Sequence, residues 1–571
     1  MLQKIGLHPL DWAIIAIYLI AILGIGLLFW WLQKRKKQSN STKHFFTGGG
    51  KNPVWVVGIS IFATITSSLF YLNTPGTVMG SRWAWIGSNI AIVAMIPVVI
   101  KWVIPFYRRM KESTAYSFLE NRFHYSLRAV NSLSFIIFQV FRVAVVLYVP
   151  TLALSVIIDI SPIWILIIVG LVTVVITTIG GFKAVVWSDA IQGIVLLGGI
   201  VLVIIIGLAR TNWGSDTLKY HQILDESSFK PTLVFPGIIM LAVYNTINSL
   251  YSFMGSQDVT QRYKGTKSVR QVRQTLWIMF WASIATMLLF FGAGSILYTY
   301  FSSQGYYVDN TVGSGINNIV GTQGSGPAFF SFFIAGSLPI GIVGLILSAI
   351  FAATQSTVSS GLSALSNSIV VDFIARFKPN LSDRTLSFIS KALVLFFGVL
   401  GILFGIVLIA TKQDDLFNYF TGFIGLLNAP TIAIFLLGIF TTRTNWKGAL
   451  LGFTVATVVG ICIWLPTQKF ISPSGAVFSF SGAWLTLITF SVALGLGYLG
   501  SLILPAEQND LTNRTYWTRS KEFIDLMNLE EELDKAEKRK DEKAILELQV
   551  QVNHLTKVVD SQGYQPKTLG I

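Results

Sequence analysis

The sequence predicts an all-α polytopic membrane protein with thirteen transmembrane helices, and two observations carry this prediction. Of the 571 residues, 53% are hydrophobic and only 12% are charged, whereas soluble domains carry about 25% charged residues. Apolar runs of roughly 20 residues, long enough to cross about 30 Å of hydrocarbon as a helix, recur along most of the chain. A string of soluble domains is therefore excluded.

Apolar segments bounded by polar or basic loops define the predicted spans. The spans cover residues 10–33, 53–80, 83–107, 127–158, 161–181, 184–209, 232–257, 274–300, 328–372, 386–410, 415–440, 447–466 and 479–504. The first has no small-residue cleavage site and is followed by the basic run from Lys34 to Lys37, so we predict that it remains as an uncleaved span.

The net charge of +15 belongs to short loops between the spans rather than to a nucleic-acid surface. The loops after spans 1, 3, 5, 7, 9 and 11 carry twenty-two lysines and arginines, and the opposite side carries seven. Because basic loops stay in the cytoplasm, we predict a multi-pass protein of the cell membrane with its N-terminus outside and its C-terminus inside. Nucleic acid is excluded as a partner, and the single cysteine, Cys462, excludes an internal disulfide.

Spans 2 and 7 are interrupted by polar residues together with glycine or proline. Span 2 contains ATITSSLFYLNTPG (Ala63 to Gly76), and the sequence at span 7 reads AVYNTINSLYSFMGSQD (Ala242 to Asp258). Interrupted spans at corresponding positions of two halves are typical of secondary transporters built from inverted repeats, with the binding site at the breaks. Two kinked helices that pack on neighbours through small residues are the alternative.

Arg142 lies inside span 4, about 15 residues and roughly 22 Å from the start of the helix. A guanidinium at that depth costs at least about 2.5 kcal/mol on insertion scales, so it should face the bundle interior and an anion. One interpretation is a fork that binds a substrate carboxylate through two parallel hydrogen bonds. The other is a structural pair with a protein acid. We favour the first, because spans 2, 3, 7 and 11 contain no deep Asp or Glu.

Two further features indicate a site for a small cation. Asp189 opens span 6 near the cytoplasmic edge, where a carboxylate binds a cation, relays protons or merely pairs with Lys183. The second feature is a stripe on one helical face of span 9, formed by Ala353, Ser356, Thr357 and Ser360. Hydroxyls and the carbonyls of a broken helix make an oxygen shell suited to an alkali ion. Tight helix packing through small residues is the alternative.

No pattern indicates an enzyme, a metal cluster or a bound cofactor. The five histidines are not clustered, and the sequence has no HExxH, GxSxG or phosphate-loop motif. From Gln508 the composition changes, and Leu529 to Leu555 has the pattern of a charged amphipathic helix in a cytoplasmic tail. This helix is either solvated or pairs with a partner helix that the sequence does not identify.

Four stretches of the membrane portion resemble the solute:sodium symporter family. They are GGFKAVVWSDAIQG (Gly180 to Gly193), GSQDVTQRY (Gly255 to Tyr263), the hydroxyl helix from Ala352 to Asp372, and APTIAIFLLGIFTTRTNWKGALLGF (Ala429 to Phe453). The resemblance extends over roughly residues 10–465 and implies two inverted repeats of five helices. It divides the chain into an extra N-terminal span at 1–34, a first repeat at 52–210, a second repeat at 232–441, two C-terminal spans at 447–504 and a charged cytoplasmic tail at 505–571.

Within that family, SIFATITSSLFYLNTPG and the sequence of span 4 look most like the bacterial sialic-acid symporters. That resemblance implies substrate contacts at Ile65, Ser67, Phe70, Trp85, Asn89 and Arg142. It implies a first sodium site made by the backbone carbonyls of Ala63, Thr66 and Ala353 and the hydroxyls of Ser356 and Thr357. It implies a second sodium site made by Asp189, Ser356, Ser359 and Ser360.

This chain departs from the sialic-acid symporters that it resembles at three of these positions. Those symporters carry two threonines and a glutamine where this chain has Ile65, Phe70 and Asn89. Polar contacts to a glycerol and an N-acyl group are therefore partly lost, whereas the carboxylate anchor remains. We predict a sodium-coupled symporter that imports a small carboxylated solute by alternating access, with sialic acid as the first candidate substrate. The alternatives are uptake of a neutral sugar or another organic acid, proton coupling through Asp189, and a membrane channel or sensor.

Overall fold

In the computed structural model of the protein, the described residues are 7–35, 42–50, 52–81, 83–107, 114–157, 160–211, 224, 226–233, 237–266, 268–303, 326–411, 416–467, 480–507, 509–539 and 541–563. Their regular structure is helical, without a strand. This agrees with the predicted all-α fold class.

The α-helices are α1 (Pro9–Arg35), α2 (Thr42–Thr47), α3 (Val54–Ile65), α4 (Ser68–Ser81), α5 (Ile86–Trp102), α6 (Ile104–Tyr107), α7 (Ser117–Arg122), α8 (Tyr125–Ile157), α9 (Pro162–Arg210), α10 (Gly237–Leu250), α11 (Gln257–Lys264), α12 (Val269–Ser303), α13 (Gly326–Ser337), α14 (Ile342–Ser368), α15 (Ala375–Phe377), α16 (Asp383–Thr411), α17 (Leu416–Phe423), α18 (Ala429–Phe440), α19 (Trp446–Trp464), α20 (Gly482–Ile503), α21 (Lys521–Arg539) and α22 (Glu542–Gly563). Wider π-helical turns occupy Tyr251–Gly255, Ile369–Ile374 and Ile424–Asn428, and tighter 3₁₀ turns occupy Gly48–Gly50, Glu226–Phe229 and Leu465–Thr467.

The first predicted break is present between α3 and α4. α3 ends at Ile65, the backbone of Thr66 is extended, and the two helices are bent by 62°. Carbonyl groups at the end of α3 therefore lose the N–H partners that a continuous helix would supply. Pro75 lies inside α4 rather than at the break. The break therefore falls at the polar residues around Thr66 and not at the proline.

The second predicted break lies at Ser256. α10 continues into the π-helical turn Tyr251–Gly255, the backbone of Ser256 is extended, and α11 begins at Gln257. The first turn of α11 leaves N–H groups without helical partners, and the helix dipole makes that end favourable for a negative charge. Both interrupted spans are thus broken helices, as the sequence predicts.

α9 contains two of the predicted spans, 161–181 and 184–209. Its 49 residues would extend about 74 Å if the helix were straight, far more than the thickness of a bilayer. The helix is kinked at Gly181, whose φ of 61° and ψ of −172° suit only glycine. A side chain at this position would be strained and would also meet the ring of Phe45.

The predicted number of thirteen spans is not confirmed. Nine helices of the described chain are long and apolar enough to cross a membrane, or ten if the bent pair α3 and α4 counts as one span. The count is lower because α9 holds two predicted spans. In addition, α5 and α10 have only 17 and 14 residues, short of the roughly 20 that a single crossing requires.

Predicted span 9, residues 328–372, is wrong as a single span. It consists of α13, which ends at Ser337, and α14, which begins at Ile342. The start of α14 is capped by α1, because Asp11 Oδ1 accepts the N–H groups of Gly341 and Gly344 at 2.8 Å each. Asp11 is buried and satisfies donors that the beginning of a helix leaves free.

Removing this cap by Asp11→Ala is expected to destabilise the protein by about 0.5–2 kcal/mol, the usual range for a lost N-terminal cap. The melting temperature of the detergent-purified protein measures the loss. Asp11→Asn keeps one acceptor oxygen and is the matched control, so its melting temperature should lie closer to that of the unchanged chain. Equal melting temperatures for Asp11→Ala and the unchanged chain would contradict the proposed cap.

α14 lies at the centre of the bundle and α1 at its edge. In the most apolar 18-residue stretch of each helix, 89% of the residues of α14 are buried, compared with 17% of those of α1. α14 packs against α3, α8, α9 and α11, so its hydroxyl stripe is held inside the protein. Large apolar side chains on α1, α9 and α16 are exposed, which suits helices that face lipid.

The tail forms a helical hairpin, so the single amphipathic helix predicted for Leu529 to Leu555 is wrong. Asp541 separates α21 from α22 and caps α22, since Asp541 Oδ1 accepts the N–H group of Ala544 at 3.1 Å. The two helices are partners of each other, and the buried apolar residues between them are Phe523, Leu526 and Val559.

The chain before this hairpin is attached to the bundle. The side-chain amide of Asn509 donates to the carbonyl of Phe123 at 2.9 Å. The backbone N–H of Tyr516 donates to the carbonyl of Ile439 at 2.8 Å. The tail therefore lies against the ends of α7 and α18.

Candidate functional site

A small cavity lies beside the break of α3. Its volume of about 80 Å³ is room for a few water molecules rather than for a sugar. Three of the predicted substrate residues, Ile65, Phe70 and Asn89, line it. The other lining residues are Phe62, Thr66, Ile92, Met279, Ser283 and Thr286. The structure thus brings half of the predicted substrate contacts together around a cavity that is smaller than a sugar acid.

Ser67 and Trp85, two other predicted substrate residues, do not line this cavity. Ser67 is half-buried and follows Thr66 at the break. Trp85 is half-buried and packs against a cluster that includes Phe138. The carbonyl of Trp85 accepts the side-chain amide of Asn89 at 3.4 Å, which links Trp85 to the cavity wall.

Arg142, the sixth predicted substrate residue, is paired with a protein acid. Arg142 Nη1 donates to Asp258 Oδ2 at 2.6 Å, and Nη2 donates to the carbonyl of Thr64 at 2.8 Å. The expectation that no deep acid is available is therefore wrong. The break at Ser256 lets α11 begin inside the bundle, where the Asp258 side chain is only 2% exposed. The guanidinium fork holds one oxygen from each of the two broken helices.

The predicted residues of the first sodium site lie between α3 and α14. Ser356 Oγ lies 3.0 Å from the carbonyl oxygen of Ala63 and 3.2 Å from that of Ala353. The hydroxyl of Thr357 reaches the neighbouring carbonyl of Thr64 at 3.4 Å. All five predicted residues are buried, namely Ala63, Thr66, Ala353, Ser356 and Thr357. Their neutral oxygen atoms are the hard ligands that an alkali cation prefers.

Two of the predicted residues of the second sodium site, Asp189 and Ser360, contact a guanidinium. Asp189 is fully buried and accepts the hydroxyls of Ser360 at 3.0 Å and Ser359 at 3.4 Å. Arg262 Nη2 lies 2.6 Å from Asp189 Oδ2 and 2.5 Å from Ser360 Oγ. The hydroxyl of Ser60 also donates to Asp189, at 2.9 Å. The guanidinium of Arg262 thus contacts Asp189 and Ser360, two of the four residues that the resemblance assigns to the second sodium ion.

Several residues of this region are not predicted from the sequence, among them Asp258, Arg262, Ser283 and Thr286. Asp258 and Arg262 fall after the predicted end of span 7 at residue 257, so Arg262 counts there as a loop cation. Their spacing of four residues directly after the polar break puts both charges on one face of the restarting helix, and this is the signal that could have placed them at the site. Ser283 and Thr286 of α12 line the cavity, but two hydroxyls in an apolar helix give no comparable signal.

A separate cluster of ion pairs ties α7 and α8 to the chain after α14. Asp372 accepts Arg128 Nε at 2.9 Å, and Glu120 accepts Arg128 Nη1 at 2.5 Å and Arg376 Nε at 3.0 Å. Burial raises the pKa of Glu120, but hydrogen bonds from the two arginines outweigh it and hold the pKa below its usual value. The stabilisation by Glu120 is therefore present above its ordinary pKa and is lost as the pH falls through the lowered pKa.

The fold and the site define the class of the protein. Two broken helices meet a central hydroxyl-bearing helix, and buried oxygens and paired charges collect at the breaks, as in ion-coupled membrane transporters. The family model described as the sodium:solute symporter family matches residues 45–456. The chain belongs to the sodium:solute symporter family.

Individual relatives agree with this assignment. The chain is 31% identical over 455 residues to the sodium/sialic acid symporter SiaT of Proteus mirabilis, covering 79% of this chain and 88% of the relative. It is 29% identical over 453 residues to the sodium/sialic acid symporter NanT of Aliivibrio fischeri, covering 78% and 86%. A solved structure of a Na⁺-coupled sialic acid symporter, substrate-bound and outward-open, superposes with a TM-score of 0.76 at 28% identity and covers 88% of this chain and 99% of the other.

Proposed function

We propose that the chain imports a small carboxylated solute together with sodium ions, and that sialic acid is the first candidate for this solute. The observation that carries the proposal is Arg142, whose side chain is 12% exposed and whose guanidinium holds oxygens of both broken helices. Such a fork binds a carboxylate through two parallel hydrogen bonds once it has left its protein partner. The relatives SiaT and NanT and the solved symporter are all sialic acid symporters, which supports this substrate.

The proposal assigns the first sodium ion to the oxygens of Ala63, Thr66, Ala353, Ser356 and Thr357. An ion there bridges the broken α3 and the central α14 and favours one arrangement of the break. Because coupling between two ligands is reciprocal, substrate then tightens sodium binding by the same factor by which sodium tightens substrate binding.

The second sodium ion is assigned to Asp189, Ser356, Ser359 and Ser360. Two sodium ions with one monoanion carry one net positive charge into the cell. Each elementary charge that crosses the membrane gains about 2.3 kcal/mol per 100 mV. Uptake is therefore expected to increase when the inside is negative.

A second candidate substrate is a smaller and more apolar organic acid. Ile65 and Phe70 stand at the cavity wall where polar contacts to a sugar acid are expected, and Met279 adds a further apolar surface. Asn89, Ser283 and Thr286 are the polar residues of the wall besides Thr66 at the break. This lining favours a ligand with one carboxylate and few hydroxyls over a neutral sugar, which needs many hydrogen bonds.

The chain is a multi-pass membrane protein, and its orientation and repeats are part of the proposal. We assign the N-terminus to the outside and the C-terminus to the cytoplasm of the cell membrane, which the distribution of basic loops supports. We assign residues 52–210 and 232–441 to two inverted repeats. The occurrence of one broken helix near the start of each range supports the division.

Calorimetric titration of the purified protein with N-acetylneuraminic acid, in NaCl and in matched choline chloride, tests the proposal. We expect saturable heat in NaCl and none in choline chloride. Parallel titrations with a short monocarboxylate and a neutral hexose identify the substrate class. Binding of the short acid alone would favour the second candidate. Binding of the hexose alone, or of any solute equally in choline, would contradict carboxylate recognition or sodium coupling.

A further inference from the structure

Two buried ion pairs lie side by side between the breaks. Arg142 is paired with Asp258 and Arg262 with Asp189, each at 2.6 Å. The four side chains are at most 12% exposed. Removing one partner of a buried pair typically costs about 3–5 kcal/mol, because a charge is left without compensation. Any rearrangement of these residues must therefore give each charge a new partner.

The two pairs are connected through α11. Asp258 and Arg262 are four residues apart, so their side chains are neighbours on one face of the helix, in the favourable order with the acid first. Arg262 Nη1 already donates to the backbone carbonyl of Asp258. The guanidinium of Arg262 thus has two carboxylates within reach, that of Asp189, which it holds, and that of Asp258.

Asp258 is held in place independently of Arg142. Its Oδ1 accepts the N–H group of Val259 at 2.9 Å and the hydroxyl of Ser256. The carboxylate lies in the first turn of α11, where the helix dipole favours a negative charge. When Arg142 leaves, Oδ2 becomes available on a carboxylate that stays where it is.

We propose that substrate binding makes these residues exchange partners. The substrate carboxylate binds Arg142, Arg262 turns from Asp189 to Asp258, and sodium takes the place of Arg262 at Asp189. Before and after the exchange, every positive charge has one negative partner. This inference rests on the proposed function, because it takes the carboxylated substrate and the second sodium ion from it.

The exchange explains how one solute and one sodium ion are coupled. Without substrate, Arg262 competes with sodium for Asp189, so the second sodium binds weakly. Without sodium, the departure of Arg262 would leave Asp189 unpaired, so the substrate binds weakly. The network takes up one anion and one cation and stays neutral, which leaves the first sodium to carry the net charge of transport.

The first test removes the internal cation by Arg262→Gln. Without substrate, sodium alone can then neutralise Asp189, so the sodium concentration for half-maximal thermal stabilisation should fall at least about tenfold, since stabilisation follows the occupancy of the ligand. The measurement is the melting temperature of the purified protein at increasing NaCl, with choline chloride keeping the ionic strength constant.

Arg128→Gln is the matched control for this experiment. It makes the same substitution at another buried arginine, whose acidic partners Asp372 and Glu120 are not predicted sodium ligands. We expect it to lower the melting temperature without changing the sodium response. An unchanged or weaker sodium response in Arg262→Gln, or an equal gain in Arg128→Gln, would overturn the exchange.

The second test removes the alternative partner of Arg262 by Asp258→Asn. Arg262 then stays at Asp189, and we expect the Hill coefficient for sodium in N-acetylneuraminic acid binding to fall from about 2 to about 1, the number of sites that still respond. This variant keeps every predicted sodium ligand, so it also decides the question if Arg262→Gln does not fold. A Hill coefficient equal to that of the unchanged chain would overturn the exchange.

The two tests separate the inference from the proposed function. The melting experiment needs no substrate, so its result holds whatever solute is carried. Sodium-dependent binding by the unchanged chain, with no effect of Arg262→Gln, would refute the exchange and keep the symporter. A chain that binds no carboxylate in NaCl, although Arg262→Gln has the expected sodium response, would refute the substrate and keep the competition between Arg262 and sodium.

Discussion

Arg142→Lys is expected to weaken the binding of N-acetylneuraminic acid at least about tenfold, or about 1.4 kcal/mol, while the sodium-dependent rise in melting temperature persists. Lysine keeps the positive charge that neutralises Asp258, so the buried pair survives. It loses the planar fork, and with it the two parallel hydrogen bonds to a carboxylate. Calorimetric titration in NaCl measures the change, and a melting curve on the same sample shows that the variant is folded.

The matched control for this prediction is Arg128→Lys. Arg128 is buried and, like Arg142, is paired with an aspartate, Asp372, but it belongs to the ion-pair cluster at α7 and α8. We expect Arg128→Lys to lower stability and to leave the affinity for N-acetylneuraminic acid within twofold or so of the unchanged chain. If Arg142→Lys bound the acid as tightly as the unchanged chain, Arg142 would have only a structural role.

Ser356→Ala is expected to raise the sodium concentration for half-maximal binding of N-acetylneuraminic acid at least about tenfold. The hydroxyl of Ser356 lies 3.0 Å and 3.2 Å from two predicted carbonyl ligands, and the resemblance assigns it to both sodium sites. Alanine removes this oxygen without adding bulk, so the helix α14 keeps its packing. The titration is repeated at increasing NaCl with constant ionic strength.

Ser363→Ala is the control for Ser356→Ala. Ser363 lies two turns further along α14 on the same face, and it is also buried. Within the described part of the chain its hydroxyl has no hydrogen-bond partner. We expect the sodium concentration for half-maximal binding of N-acetylneuraminic acid to be the same in Ser363→Ala as in the unchanged chain. A similar loss in both variants would assign the effect to helix packing rather than to a sodium ligand.

The breaks could be predicted from the sequence because lipid tolerates few polar residues. Thr66, Ser67 and Ser256 belong to polar clusters that interrupt apolar spans, and the backbone is extended at Thr66 and Ser256. The hydroxyl stripe was equally visible, since Ser356 and Ser360 repeat with the period of a helix. A break and a helical stripe both depend on residues that are close together in the sequence, so they can be predicted without knowledge of the tertiary structure.

The partners of the buried charges could not be predicted in the same way. Arg142 and Asp258 are 116 residues apart, and Arg262 and Asp189 are 73 apart. Their pairing depends on where the broken helix restarts, and predicted span 7 ended one residue too early to include Asp258. The division of residues 328–372 also depended on a distant residue, because Asp11 of α1 caps the helix that starts at Ile342.

Uptake of labelled N-acetylneuraminic acid into proteoliposomes tests the central claim most directly. The vesicles contain potassium chloride, and the outside contains NaCl or choline chloride, with valinomycin added to make the inside negative. Sodium-coupled symport predicts that labelled acid accumulates in NaCl only and that the negative potential increases this accumulation. No accumulation is expected when the sodium concentration is equal on both sides and no potential is applied. Accumulation that is equal in choline chloride, or that ignores the potential while both sodium sites are intact, would contradict sodium-coupled, electrogenic symport.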